Sequence, residues 1–122
     1  MKNTTLERIV AEQKQADRAY YEFLRVPSMS AGRYVLPAGA VDPQMPHTED
    51  ELYYVVGGKA SILVGDRDLP VESGSIIFVE AGVEHRFHDI TEELSVIVLF
   101  APAEYSLNSA PPPESMPDDQ EE

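Results

Sequence analysis

The sequence predicts an all-β domain, a barrel or sandwich of short strands, preceded by one α-helix. Its 122 residues are enough for one hydrophobic core and too few for two comfortable domains. Ten prolines and seven glycines are scattered through a chain that is 43% hydrophobic, which suits strands joined by turns better than a helical bundle. From Tyr20 onward, short β-type runs recur at the regular spacing of a sandwich or barrel.

The helix is expected over 4–18, because Thr4 with Glu7 reads as a capping box and Leu6, Ile9 and Val10 fall on one face. That stripe is narrow, so residues 1–19 form an arm that must lie against the barrel or a second subunit. The strands are then Tyr20–Val26, Gly32–Leu36, Glu51–Val56, Lys59–Val64, Leu69–Glu72, Ser75–Val79, Glu84–Asp89 and Leu94–Phe100. Gly57-Gly58 and Gly65-Asp66-Arg67 read as tight turns, with further reversals at Glu72-Ser73-Gly74 and Ala81-Gly82. The barrel spans 20–105. Beyond it, residues 106–122 are rich in Pro, Ser, Asp and Glu, a composition that cannot offset the cost of ordering, and a flexible acidic tail is expected.

Charge and composition narrow the functional classes. The net charge is −13 with nine basic residues thinly spread, so no phosphate-binding footprint exists and nucleic acid is excluded as a partner. Glu104, Glu114, Asp118, Asp119, Glu121 and Glu122 carry much of that excess and are counted with the tail. The absence of cysteine removes thiolate metal sites and cysteine nucleophiles. No signal-peptide core or membrane-length apolar run occurs, so no membrane association and a cytoplasmic location are expected. Gly57-Gly58-Lys59 lacks the spacing of a phosphate-binding loop, and no serine sits in a nucleophile elbow.

Three histidines are present, His47, His85 and His88. His47 stands just ahead of a strand, and Glu51 follows at a spacing that puts both on one face of an extended chain. His85 opens a later strand after Gly82. His88 and Arg86 have the opposite parity and face outward, while Phe87 and Asp89 share the inward parity of His85. Tyr53 shares the face of Glu51, and Tyr34 sits one strand earlier; both read as core residues or as pocket walls. Arg25, Arg33 and Arg86 would hold a substrate carboxylate only if one turned inward.

The segment PAGAVDPQMPHTEDELYYVVGG over 37–58 resembles the first cupin motif, G(X)5HXH(X)3,4E(X)6G, with Gly39, His47, Glu51 and Gly58 in place. GSIIFVEAGVEHRFHD over 74–89 is similar to the second, with Gly74, Gly82 and His85 matching and Glu80 and Asp89 replacing the proline and asparagine. The resemblance covers roughly residues 20–103 and implies a double-stranded β-helix, a small single-domain bacterial cupin, a metal centre and a homodimer.

Carried over by position, the metal ligands are His47, Glu51 and His85. Met45 stands where the family has its first histidine; a thioether is too soft for a hard ion, so Met45 is expected to line the pocket with Tyr34, Tyr53 and Phe87. Gln44 is a weak candidate for a fourth ligand. Two histidines and one carboxylate form the set that binds non-haem Fe(II) with open positions, although Zn(II), Mn(II) or Ni(II) would also be accepted. The implied activity is a small-molecule oxygenase. A non-catalytic module that binds or senses a small organic molecule, and a metal-dependent isomerase or lyase, are the alternatives. Catalytic residues beyond the ligands cannot be named from the sequence.

Overall fold

The computed structural model describes residues 2–43 and 46–107. One helix, α1 (Leu6–Ala16), precedes six strands: β1 (Tyr20–Val26), β2 (Met29–Leu36), β3 (Asp50–Val64), β4 (Arg67–Glu72), β5 (Ile76–Val79) and β6 (His85–Ala101). All pairings are antiparallel, in the order β1-β2-β6-β3-β4, with β5 also paired to β3.

The helix cap is Thr5, one residue later than the capping box suggests; its hydroxyl accepts from the Arg8 amide at 3.1 Å. Asp17 ends the helix in the left-handed conformation, its amide donating to the Gln13 and Lys14 carbonyls. Ile9 and Gln13 form the buried edge of α1 while Leu6 stays 43% exposed. Gln13 fastens the arm: its amide nitrogen donates to the Arg18, Ala19 and Arg33 carbonyls, and its oxygen accepts from the Arg33 guanidinium.

Four of the expected strands are halves of two long ones. Gly57-Gly58 is no tight turn, because β3 runs straight through it, and β6 likewise joins Glu84–Asp89 to Leu94–Phe100. The β3–β6 ladder extends from Asp50↔Ala101 to Val64↔His85 and shifts register at Val55/Gly57, Gly57/Lys59 and Lys59/Ser61. Such bulges bend a strand and strengthen its twist. Gly58, with φ +101°, lets the backbones meet there: a Cβ would lie 2.2 Å from the Glu93 carbonyl oxygen. Across from this bend Asp89 adopts φ +51°, which breaks the alternation of β6. Asp89 is therefore exposed rather than inward, and Ile90 takes the buried place.

The bent ribbon encloses the core. Tyr53, Val55, Ile62, Phe87, Leu94 and Val96 are at most 1% exposed, and each such side chain contributes about 1.5–3 kcal/mol on burial. The period-2 burial of β3 and β6 puts these residues on one face. No helix among the described residues is long and apolar enough to cross a membrane.

Candidate metal centre

Glu51 is the first inward residue of β3, and its partner on β5 is Val79. The loop leaving β5 therefore descends beside residues 47–50, where the Ala81 amide donates to Asp50 Oδ1 at 2.9 Å and the Gly82 amide to the His47 carbonyl at 2.7 Å. These bonds set the start of β6, so that His85 meets Glu51. His85 Nε2 lies 2.9 Å, and His47 Nδ1 3.6 Å, from Glu51 Oε1. One ligand atom from each of the three residues lies within 4.8 Å of the others. All three side chains are buried, at 6%, 2% and 6% exposure for His47, Glu51 and His85.

Each imidazole is oriented by its far nitrogen. His85 Nδ1 lies 2.9 Å from the Val83 carbonyl, which can only accept, so Nδ1 carries the hydrogen and, in the neutral ring that binds a metal, Nε2 presents a lone pair. His47 Nε2 lies 2.9 Å from Glu104 Oε2; donating to that carboxylate leaves Nδ1 as the lone pair facing Glu51. His47 Nδ1, His85 Nε2 and both Glu51 oxygens have no hydrogen-bond partner. The close His85–Glu51 approach has the distance of a hydrogen bond without its alignment. Buried acceptors that converge without a donor are costly, and a divalent cation is the group that satisfies them all. The donor set therefore fits a metal.

Burial disfavours the charged form of His85, but the Glu51 carboxylate beside it outweighs this and holds its pKa above the ordinary histidine value. Burial pushes the Glu104 carboxyl upward, opposed by its contact with His47 and reinforced by Glu51 and Glu49.

The aromatic residues divide between wall and core. Phe100 and Tyr105 pack on His47 with ring centroids 4.6 and 5.4 Å away. Tyr53 lies edge-on to His85 at 5.9 Å and to Phe87 at 5.0 Å; both are fully buried and back His85 as core. Tyr34 is tied to Asp42, donating its hydroxyl to Oδ1 at 2.7 Å, and burial with this carboxylate raises its pKa. Asp42 Oδ2 also accepts from the Phe87 amide at 2.9 Å. Met45 and Gln44 lie outside the described residues.

The remaining candidates stand away from the ligands. His88 bonds Asp68 at 2.8 Å on the outer side, and Arg86 is exposed. Arg33 bonds Gln13 and Ser95, and Arg25 bonds Glu22 and the Glu104 carbonyl. A cavity of about 260 Å³ lined by Pro46, Leu63, Gly65, Glu84, His85 and Arg86 opens against His85.

Sequence reasoning misses Asp42, Glu49 and Glu104, three buried carboxylates around the site. Glu104 falls with the tail because it begins a run of Pro, Ser and acidic residues; Tyr105 within that run, whose ring packs on His47, is the signal that the chain still packs there.

A family model described as Cupin domain matches residues 32–102 of the chain. The chain belongs to the cupin family. This cupin is 48% identical over 104 residues to an uncharacterized protein of Streptomyces coelicolor, SCO3923, an alignment covering 85% of this chain and 99% of that one. Among solved structures it is similar to the TT1209 protein from Thermus thermophilus, with 20% identity, a TM-score of 0.69, and 84% and 99% of the two chains covered. It is also similar to an RmlC-like cupin from Methanocaldococcus jannaschii described as a double-stranded β-helix, with 20% identity, a TM-score of 0.66, and 74% and 84% covered. Both likenesses are to the fold, which is a cupin β-helix with an added N-terminal helix.

Proposed function

We propose that this cupin is a metal-dependent enzyme acting on a small organic molecule, with one divalent ion held by His47, Glu51 and His85. The observation that carries the reading is the convergence of two imidazole lone pairs and a carboxylate that no donor satisfies. Two neutral nitrogens and one anionic oxygen suit Fe(II) first, and Zn(II), Mn(II) or Ni(II) as well. When bound, Fe(II) supplies the redox chemistry of an oxygenase, whereas Zn(II) supplies Lewis acidity alone. The protein's own residues do the rest: Val83 and Glu104 hold the ligand rings in orientation, and Phe100, Tyr53 and Phe87 exclude water behind them. Of the three ligands only His85 lines the neighbouring cavity of about 260 Å³, which is smaller than the usual ligand pocket of about 300–1,000 Å³ and limits any substrate there to a few heavy atoms.

Anaerobic loading with Fe(II), followed by oxygen uptake with a panel of small organic acids, alcohols and thiols, tests the reading. Substrate-dependent uptake that disappears in His85→Ala is expected. Absence of uptake would remove the oxygenase, and absence of any conversion of the same panel by the Zn(II)-, Mn(II)- or Ni(II)-loaded protein would favour the second reading, a non-catalytic small-ligand module. The three-ligand set favours that alternative, because Met45 stands at the family's first histidine position and a site with one ligand fewer holds its metal more weakly. The assembly proposed for either reading is a homodimer through the outer face of β3 and β5, where Leu52, Tyr54, Ile76 and Phe78 are exposed.

A further inference from the structure

Residues 102–107, which follow β6, stay beside the candidate site, and the rest of the expected acidic tail, 108–122, lies outside the described residues. The hold on 102–107 is extensive. The Ala103 amide approaches the Pro27 carbonyl at 3.4 Å, the Glu104 amide donates to Ser30 Oγ at 2.9 Å, and Arg25 donates to the Glu104 carbonyl at 2.8 Å. Glu49, 1% exposed, accepts from the Tyr105 amide at 2.8 Å and the Leu107 amide at 3.1 Å. The first strands and the loop before β3 thus grip residues 102–107 at several points.

These contacts deliver Glu104 to His47. The Glu104 carboxylate is 3% exposed and reaches His47 Nε2 at 2.9 Å, with the Tyr105 ring packed on the same imidazole. A carboxylate on the far nitrogen of an imidazole selects the tautomer, orients the ring and increases the basicity of the other nitrogen. Here the other nitrogen is Nδ1, which faces Glu51.

We propose that residues 102–107 form a metal-responsive strap, in which Glu104 is a positioning residue for His47 and docking of the strap is coupled to metal binding at His47, Glu51 and His85. The inference rests on the metal-site reading above. The coupling is reciprocal: whatever the docked strap adds to metal affinity, a bound ion returns as stability of the docked strap. A segment held only for structural reasons would show neither effect.

The test uses the full chain, stripped of metal, with Zn(II) as the probe. Calorimetry measures Zn(II) affinity for the parent, Glu104→Gln, Glu104→Ala, Glu49→Gln and Glu51→Ala. Hydrogen exchange measures protection of the peptide spanning 102–107 with and without Zn(II), and nitrogen NMR reads the His47 tautomer. Glu104→Ala should weaken Zn(II) about 10- to 100-fold and lose the Nε2–H signature. Glu104→Gln should weaken it less, since its amide oxygen still accepts from Nε2–H. Zn(II) should increase protection of 102–107 in the parent and not in Glu104→Ala, and Glu49→Gln should loosen the strap while every metal ligand remains. Should Glu104→Ala fail to fold, the Gln variants decide the question by the same readings. Equal Zn(II) affinity in the parent and the Glu104 and Glu49 variants, with binding abolished in Glu51→Ala, would overturn the strap and leave the metal site standing. A parent that binds no Zn(II), or binds it no better than Glu51→Ala, would overturn both.

Discussion

His85 Nε2 and Glu51 Oε1 stand 2.9 Å apart although their residues lie near opposite ends of the β3–β6 ladder, where Glu51 pairs with Phe100 and His85 with Val64. The two can meet only because the ribbon bends back on itself. The bulges around Gly57 and Lys59, and the left-handed Asp89, are therefore part of the site as much as of the barrel.

The unsatisfied Glu51 carboxylate sets function against stability. Glu51→Gln replaces an orphaned charge by an amide that can donate to the facing imidazole lone pairs. Without metal, and at a pH high enough that His85 is neutral, this variant should be more stable than the parent by about 1–3 kcal/mol in denaturant unfolding, an advantage that shrinks as His85 takes up its proton beside Glu51, and it should gain no thermal stability from Zn(II). A less stable metal-free variant would show that Glu51 is better satisfied than its surroundings imply.

Stability should depend on pH in opposite senses with and without metal. His85 and Glu104 both have raised pKa values in the folded chain, for the reasons given above. The folded state therefore binds these protons more tightly than the unfolded chain. The stability they contribute is fully present below the ordinary values of 4.5 for Glu104 and 6.5 for His85. It is lost as pH rises through the folded values. The melting temperature of the metal-free protein should fall from about pH 5 to about pH 8, whereas the increase produced by Zn(II) should grow over the same range, since an ion competes with protons for the ligands. A flat Zn(II) increment across this range would contradict the ligand assignment.

Gly58→Ala tests the bend. The new Cβ would meet the Glu93 carbonyl at 2.2 Å with φ at +101°, a conflict that costs about 3 kcal/mol. Denaturant unfolding should show that loss, and Zn(II) affinity should fall with it because the ribbon carries Glu51 and His85. Unchanged stability would mean that the ribbon bends elsewhere.

The outer sheet face carries a prediction of its own. Leu52 opposes Phe78 and Tyr54 opposes Ile76, and Leu52, Phe78, Tyr54 and Ile76 are 38%, 57%, 44% and 66% exposed. A contiguous apolar stripe of this kind marks an interaction surface. Sedimentation should find the parent as a dimer and Phe78→Lys with Ile76→Lys as a folded monomer. A parent that sediments as a monomer would remove the dimer.

The barrel was legible in the sequence because alternation and glycine punctuation follow directly from strand geometry. The long strands were not. Gly57-Gly58 has the same letters in a hairpin turn and in a bulged strand, and only the approach of Glu93 distinguishes them. Asp89 defeated a parity argument because one left-handed residue reverses every side chain after it. His47, Glu51 and His85 stood out because histidine is scarce and their spacing matches two motifs. Asp42, Glu49 and Glu104 could not stand out: a carboxylate that is buried by distant partners looks, in a chain this acidic, like one of many on the surface.

The most direct test of the metal centre is the metal content of protein purified without chelator, compared between the parent and His85→Ala. The parent should carry about one divalent ion per chain, the stoichiometry of a single two-His, one-carboxylate site, and His85→Ala should carry little while keeping its β-type circular dichroism. A parent that is metal-free as purified, and takes up none of Fe(II), Zn(II), Mn(II) or Ni(II) afterwards, would contradict the assignment of His47, Glu51 and His85.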